Sequence, residues 1–179
     1  YRMKFIMSES QVIKRDGDRE ASDLEKFHKV LFYAGNDING VSASEVEIKS
    51  SLQFFNGITS SEIQDTLIKS AADLSSEETP NYQWVAGRLI VYHLRKQVYG
   101  SFDPCHIREL IGRNIEEGWY DPALLTDYTD AEWDELNDYI KHQRDENFTY
   151  AAMEQFRGKY LVQNRVTGEI KETPQMAYM

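Results

Sequence analysis

Two short extended runs open the readable pattern. Gln11-Val12-Ile13-Lys14-Arg15 and Asp18-Arg19-Glu20-Ala21 flank Asp16-Gly17. Asp-Gly between such runs predicts a hairpin, because both residues tolerate positive φ. The period then changes to helical. Ser22-Asp23-Leu24-Glu25 has the spacing of a capping box, and Leu24, Phe27, Leu31 and Ala34 follow at helical intervals. Ser42-Ala43-Ser44-Glu45 predicts a second capped helix through Val46, Ile48, Leu52 and Phe55, ended by Asn56-Gly57. Thr59-Ser60-Ser61-Glu62 predicts a third, with Ile63, Leu67, Ala71 and Leu74. Thr79-Pro80 starts a fourth, running through Val85, Leu89, Ile90, Tyr92 and His93 to Gly100.

The remainder is mostly helical by the same signals. Asp103-Pro104 leads into a helix with Ile107, Leu110, Ile111 and Ile115, stopped at Gly118. Asp121-Pro122 starts a short helix, and Thr129-Asp130-Ala131-Glu132 caps another carrying Trp133, Leu136 and Ile140. Phe148 to Arg157 reads as a last helix with Gly158 as its stop. Tyr160-Leu161-Val162-Gln163 and Glu169-Ile170-Lys171 then flank Arg165-Val166-Thr167-Gly168 as a second hairpin. The fold class is mainly α: a hairpin and four helices, then a helical segment and a β-hairpin.

Charge divides this pattern in two. The chain has 179 residues with 20 Lys+Arg against 30 Asp+Glu, a net of -10. Residues 1–100 carry a net of -2 and residues 101–179 a net of -8. A boundary near Tyr99-Gly100-Ser101-Phe102-Asp103-Pro104 fits the shift. The expected organisation is an N-terminal extension over 1–10, one domain over 11–101 and a truncated helical segment over 102–179. The acidic balance argues against a general nucleic-acid backbone binder, which needs a basic face. One cysteine, Cys105, excludes an internal disulfide, a CxxC pair and a Cys-rich zinc site. No apolar run approaches the roughly 18 residues of a membrane span, and no signal peptide is visible. A cytoplasmic, reduced setting follows as the expectation, with no membrane partner. The chain begins with Tyr1 and ends on the apolar run Gln175-Met176-Ala177-Tyr178-Met179. That pattern suggests a piece of a longer polypeptide; the alternative is a trimmed chain whose last strand docks on the core.

The hairpin beside a capped helix start is the first place where chemistry gathers. Helix N-termini present free N–H groups and partial positive charge, which suits phosphate. Lys14 on the strand and Lys26 one turn into the helix would add charge, Lys96 would close the pocket, and Ser60 would offer a hydroxyl. On spacing alone, solvated surface lysines are the simpler reading. His28, His93, His106 and His142 lack paired ligand spacing, so no metal site is expected. Asp134 and Glu135 are adjacent, diverge by about 100° on a helix, and read as a solvated face. Cys105 follows a proline near a helix start, where a lowered pKa is conceivable, but a structural thiol is the preferred reading.

A family resemblance changes the weight of the hairpin site. Val12-Ile13-Lys14-Arg15-Asp16-Gly17, the helix from Leu24 to Leu31, Ile68-Lys69-Ser70-Ala71-Ala72, Tyr82-Gln83-Trp84-Val85-Ala86-Gly87-Arg88-Leu89 and His93-Leu94-Arg95-Lys96 resemble the ATP-cone of ribonucleotide reductase large subunits. Gly118-Trp119-Tyr120-Asp121, Phe148-Thr149-Tyr150-Ala151-Ala152 and Lys159-Tyr160-Leu161-Val162-Gln163-Asn164-Arg165 resemble the stretch that follows the cone in the aerobic class Ia subunit of bacteria and bacteriophages. The similarity is collinear from about Gln11 onward. It implies an allosteric region of a ribonucleoside-diphosphate reductase, with ATP as activator and dATP as inhibitor, each bound together with magnesium. Carried over by position, the nucleotide contacts are Lys14, the segment Glu20, Ala21, Ser22, Asp23, Leu24, Glu25 and Lys26, then Ser60 and Lys96, with Val12, Arg15, Phe27, Ile63 and Gln64 as further neighbours. Ser60 stands where the family often has Thr, and Gln64 where it often has His. Gln cannot become cationic. Asp23 adds negative charge beside the phosphates. The alternative is a cone without nucleotide response, serving as a subunit-interaction module.

The resemblance also implies what this stretch does not do by itself. The family's catalytic cysteines lie downstream, Cys105 matches none of them, and no catalytic residue is expected here. Implied partners are the remainder of the large subunit, on the same or a separate polypeptide, the small radical-generating subunit and further large subunits. A cone-bearing transcriptional repressor is excluded, because its zinc ribbon would need cysteines before Cys105.

Overall fold

A computed structural model describes residues 11–14, 17–21 and 24–179, Leu24 by its backbone alone. The expected cap at Ser22 and the positions of Arg15, Asp16 and Asp23 lie outside the described residues. The chain divides into two compact units, Tyr1–Ile90 and Val91–Met179. The division falls before the 99–104 boundary suggested by charge.

The first unit begins with β1 (Gln11–Ile13) and β2 (Arg19–Ala21), paired antiparallel as Gln11↔Ala21, Val12↔Glu20 and Ile13↔Arg19. Lys14 N–H donates to Asp18 O at 2.8 Å, and Gly17 N–H donates back to Lys14 O at 3.0 Å. Gly17 has φ +89°, which is why the turn needs glycine there. Helices α1 (Leu24–Gly35), α2 (Ala43–Ser51) and α3 (Ser60–Ala72) follow, and α4 runs Tyr82–Tyr99 across the division. Their inward stripes, including Leu31, Val46, Ile63, Leu67 and Leu89, bury almost completely in this unit. Burying each such side chain is worth about 1.5–3 kcal/mol.

Two helix starts show how local rules meet tertiary demands. α3 has the complete capping box: Glu62 N–H donates to Thr59 Oγ1 at 3.1 Å, and Thr59 N–H donates to Glu62 Oε2 at 2.8 Å. α2 has only half of its expected box. Ser42 caps Glu45 N–H, but the Glu45 carboxylate accepts from Tyr82 OH at 2.5 Å. The same phenol oxygen accepts from Ser42 N–H at 3.0 Å, so the buried Tyr82 pins the start of α2 to the start of α4. α2 also ends at Ser51, before Phe55, and Ile48, Leu52 and Phe55 are 55%, 75% and 57% exposed. Of the apolar set predicted for that helix, Val46 alone enters the core. The helical period there is real, but it does not mark a buried face.

The second unit continues with α5 (Ile107–Glu116), α6 (Ala123–Thr126) and α7 (Asp130–Tyr139). A 3₁₀ turn (His142–Asn147), α8 (Tyr150–Gln155), a π-helical turn (Phe156–Tyr160) and α9 (Pro174–Tyr178) complete it. Gly118 stops the α5 segment with φ +79°, as predicted. Gly158 does not stop α8: the helix widens and passes through it to Tyr160, closed by Leu161 N–H donating to Phe156 O at 3.0 Å. The second hairpin is reduced to one antiparallel bridge, Gln163↔Ile170. Asn114, buried, donates from Nδ2 to Lys171 O at 2.9 Å while its backbone carbonyl accepts from Trp119 and Tyr120 N–H. No described helix is long and apolar enough to cross a membrane.

A buried polar cluster organises this second unit. Arg95 donates to His142 O at 2.8 Å, lies 3.6 Å from Glu146 and stacks over Phe102 at 4.8 Å. Tyr99 OH shares a hydrogen bond of 2.8 Å with Thr173 Oγ1, and the His142 ring meets Tyr99 edge-on. Asp145 is fully buried, and no well-formed hydrogen bond among the described residues reaches its carboxylate oxygens. Burial pushes its pKa up to about 7, against the pull of the neighbouring Gln175 and Arg95. Burial, then the Arg95 charge, pushes His142 down to about 4. The two groups act on stability with opposite sign. An unfolded Asp titrates near pH ~3.9, so from there to about 7 only the folded state keeps the Asp145 proton, and stability falls as pH rises. An unfolded His titrates near ~6.5, so between about 4 and that value only the unfolded state holds the His142 proton, and stability rises with pH. Wild-type stability should therefore change little from these groups over that range. Asp145→Asn should leave a stability that rises with pH, and His142→Gln one that falls, each by at most about 1.4 kcal/mol per pH unit. Urea unfolding at a series of pH values reads both slopes; identical slopes in both variants would refute the assignment.

Candidate functional site

The hairpin is held against the start of α3 by backbone bonds. Ile13 N–H donates to Ile58 O at 3.0 Å, Gly57 N–H donates to Gln11 O at 2.8 Å, and Gln11 N–H donates to Asn56 Oδ1 at 2.9 Å. Ile13 also forms a parallel bridge with Thr59, the N-cap of α3. Asn56-Gly57 therefore does more than end a helix. Gly57, at φ +86°, turns the chain so that it accepts β1. This latch brings the strand that carries Val12 and Lys14 beside the helix start that carries Ser60.

Strand alternation sets the charged group. Val12 stands opposite Glu20, and Lys14 lies one diagonal step along the same face. Lys14 Nζ reaches Glu20 Oε2 at 2.7 Å, and Lys26 Nζ, from the first turn of α1, reaches Glu20 Oε1 at 2.9 Å. Hydrogen bonding from Lys14 and then Lys26 holds the Glu20 carboxyl down to about 2. All three side chains stay open to solvent, at 47%, 40% and 59% exposure for Lys14, Glu20 and Lys26. They remain in reach of a dissolved ligand.

The other predicted site residues distribute unevenly. Ala21 ends β2 and is exposed, as is Glu25 in the first turn of α1. Phe27 is half-buried against Phe54, ring centroids 5.6 Å apart. Ser60 is half-buried at the start of α3. Ile63 is wholly buried and acts as core beneath that helix start rather than as an open contact. Gln64, one turn after Ser60, keeps its Oε1 shielded from solvent with no hydrogen-bond partner among the described residues. Lys96 lies on α4 in the second unit, its Nζ 5.9 Å from the Tyr92 ring centroid. Ser22, Asp23 and Arg15 fall outside the described residues, and the Leu24 side chain is likewise undescribed. Sequence reasoning missed the role of Glu20 as a bridge between two lysines, and the Asn56 amide that fastens the hairpin. Both depend on register, which the hairpin turn fixes only once it is formed.

Elsewhere the predicted chemistry is quiet. Burial pushes the Cys105 thiol up, although Arg113 donates to its Sγ at 3.1 Å, so no reactive thiolate is built there. His106 caps α5 by accepting from Arg108 N–H at 3.2 Å and meets Asp134 at 3.3 Å. His28 pairs with Glu47 at 3.3 Å. Among the described residues no three His, Cys, Asp or Glu side chains gather as a metal site.

Residues 10–97 match the ATP cone domain family. The chain is 49% identical over 168 residues to the ribonucleoside-diphosphate reductase alpha subunit of Haemophilus influenzae. It is 48% identical over 168 residues to the ribonucleoside-diphosphate reductase 1 subunit alpha of Escherichia coli K12. Residues 10–97 are thus an ATP cone, and the chain as a whole is similar to one stretch of ribonucleoside-diphosphate reductase alpha subunits. The alpha subunit of Enterobacteria phage T4 is 40% identical over 170 residues. Each of these matches covers 94% of this chain and 22% of the relative, so the chain spans about a fifth of their length. The lysine pair, Glu20, Ser60, Gln64 and Lys96 all fall within the cone match.

The α3 start yields a direct test of the scaffold. Thr59→Ala removes the N-cap oxygen and one side of the capping box. It should destabilise the protein by about 1 kcal/mol. Chemical denaturation checks this, and no change would show that the cap is dispensable.

Proposed function

We propose that the first unit carries an allosteric nucleotide site that sets the activity of a ribonucleoside-diphosphate reductase. The observation that carries this reading is the Lys14–Glu20–Lys26 group on a hairpin latched to the start of α3, within a matched ATP cone. Two ammonium groups beside the positive end of a helix dipole favour a polyphosphate over a neutral ligand. In this reading Lys14 and Lys26 hold phosphates, Ser60 donates its hydroxyl, and Val12, Phe27 and Gln64 border the base and ribose; Lys96 is a phosphate contact by resemblance alone. The segment from Ala21 to Glu25 and Arg15 complete the surroundings. ATP acts as activator and dATP as inhibitor. Magnesium would travel with the phosphates, since a magnesium ion keeps several waters and needs only one or two carboxylates besides them.

The reaction, reduction of ribonucleoside diphosphates, belongs in this proposal to the catalytic remainder of the large subunit working with the radical-generating small subunit. This stretch supplies regulation and no catalytic cysteine, in the cytoplasm of the cell or host. A second reading is supported by Phe32, Ile48, Leu52 and Phe55, large apolar side chains that α1, α2 and the following turn leave exposed. In that reading the cone is a subunit-contact module whose association ignores nucleotide.

Calorimetry with ATP and with dATP, each with magnesium, tests the leading reading. Wild type should bind both, and Lys14→Ala or Lys96→Ala should weaken binding by roughly tenfold each, the scale of one lost charge-assisted contact. No binding at millimolar nucleotide would overturn it. Assembly with the large and small subunits that is unchanged by dATP, measured by light scattering, would favour the contact module instead.

A further inference from the structure

Glu20 does something that its place in a nucleotide pocket does not explain. It is a carboxylate set between the two cations that a phosphate would seek. One oxygen takes Lys14 at 2.7 Å and the other takes Lys26 at 2.9 Å. Lys14 comes from the hairpin and Lys26 from α1, so this one side chain joins two elements. A phosphate group presents the same arrangement, oxygens on a single central atom within reach of two cations.

We propose that Glu20 is a built-in stand-in for phosphate, and that a ligand must displace it before Lys14 and Lys26 can bind. This rests on the reading of the site as one for polyphosphates. The carboxylate neutralises one of the two positive charges, so these three groups together carry a single unit of positive charge. A neutral ligand has nothing with which to compete. A ligand with two or more linked phosphates carries more charge than the carboxylate and takes both lysines from it. The chemical class selected is therefore a phosphate-bearing anion rather than a neutral ligand. Because each ion pair is about half-exposed, displacement costs little and the gate opens readily. Because it is a fixed cost, it lowers affinity by the same factor for every ligand that uses the lysines.

The variants Glu20→Gln and Glu20→Ala in the 179-residue chain test this by calorimetry with pyrophosphate, tripolyphosphate, magnesium-ATP and adenosine. Circular dichroism confirms that each variant folds. Both variants should bind the three phosphate compounds about threefold to tenfold more tightly than wild type, by a common factor. Adenosine binding should not change. In about 0.5 M salt the gain should shrink, because screening weakens the internal pairs as well. Unchanged or weaker phosphate binding in both variants overturns the stand-in role while leaving the nucleotide reading intact. A gain for pyrophosphate without any ATP binding supports the stand-in role and overturns the nucleotide reading. Absence of binding by all four compounds in every protein overturns both.

Discussion

The latch between β1 and the linker ahead of α3 is the constraint on which the candidate site depends. A two-stranded hairpin of this size is at best marginal alone in water. Here its free edge is satisfied by Ile58 O, Gly57 N–H and the Asn56 amide. That pairing fixes the strand, the strand fixes the face on which Lys14 and Glu20 stand, and α1 brings Lys26 to the same carboxylate. A one-residue slip in β1 would turn Lys14 to the opposite face and dismantle the group.

The balance of charge in the group follows from exposure. Surface ion pairs are weak, and these three side chains are all partly hydrated. They do little for stability and are free to exchange partners. The second unit treats charge in the opposite way. Arg95 and Asp145 are buried, and the polar groups around them are locked by neighbours from α4, the 3₁₀ turn and the last segment. Exchangeable charge thus lies at the hairpin and fixed charge in the interior of the second unit.

Much of this was legible in the sequence because it rests on local rules. The glycine of the Asp-Gly turn, the Thr59 and Thr129 capping boxes and the Gly118 stop each act within four positions along the chain, and the structure has each of them. Failures came where a distant residue competed. Glu45 could not close its box because Tyr82 claimed the carboxylate. Ile48, Leu52 and Phe55 kept a helical period without a partner surface among the described residues to bury them. At the site, the lysines could be chosen from sequence by resemblance, but the carboxylate between them needed the hairpin register, and the fully buried Ile63 needed the packed core. Lys96 remains assigned by resemblance.

The π-helical turn at Phe156–Tyr160 sets the direction in which the chain leaves α8. Such a turn is an α-helix that has absorbed one extra residue. Phe156 sits at its entrance, packed with Phe148 and Tyr178, while Tyr160 at its exit stays largely exposed. Deleting a single residue within this stretch would return it to ordinary helix and rotate the exit by about 100° relative to the entrance. A one-residue deletion in this stretch therefore re-aims the chain entering Leu161, which is 1% exposed, so the widened turn sets where that core residue lands.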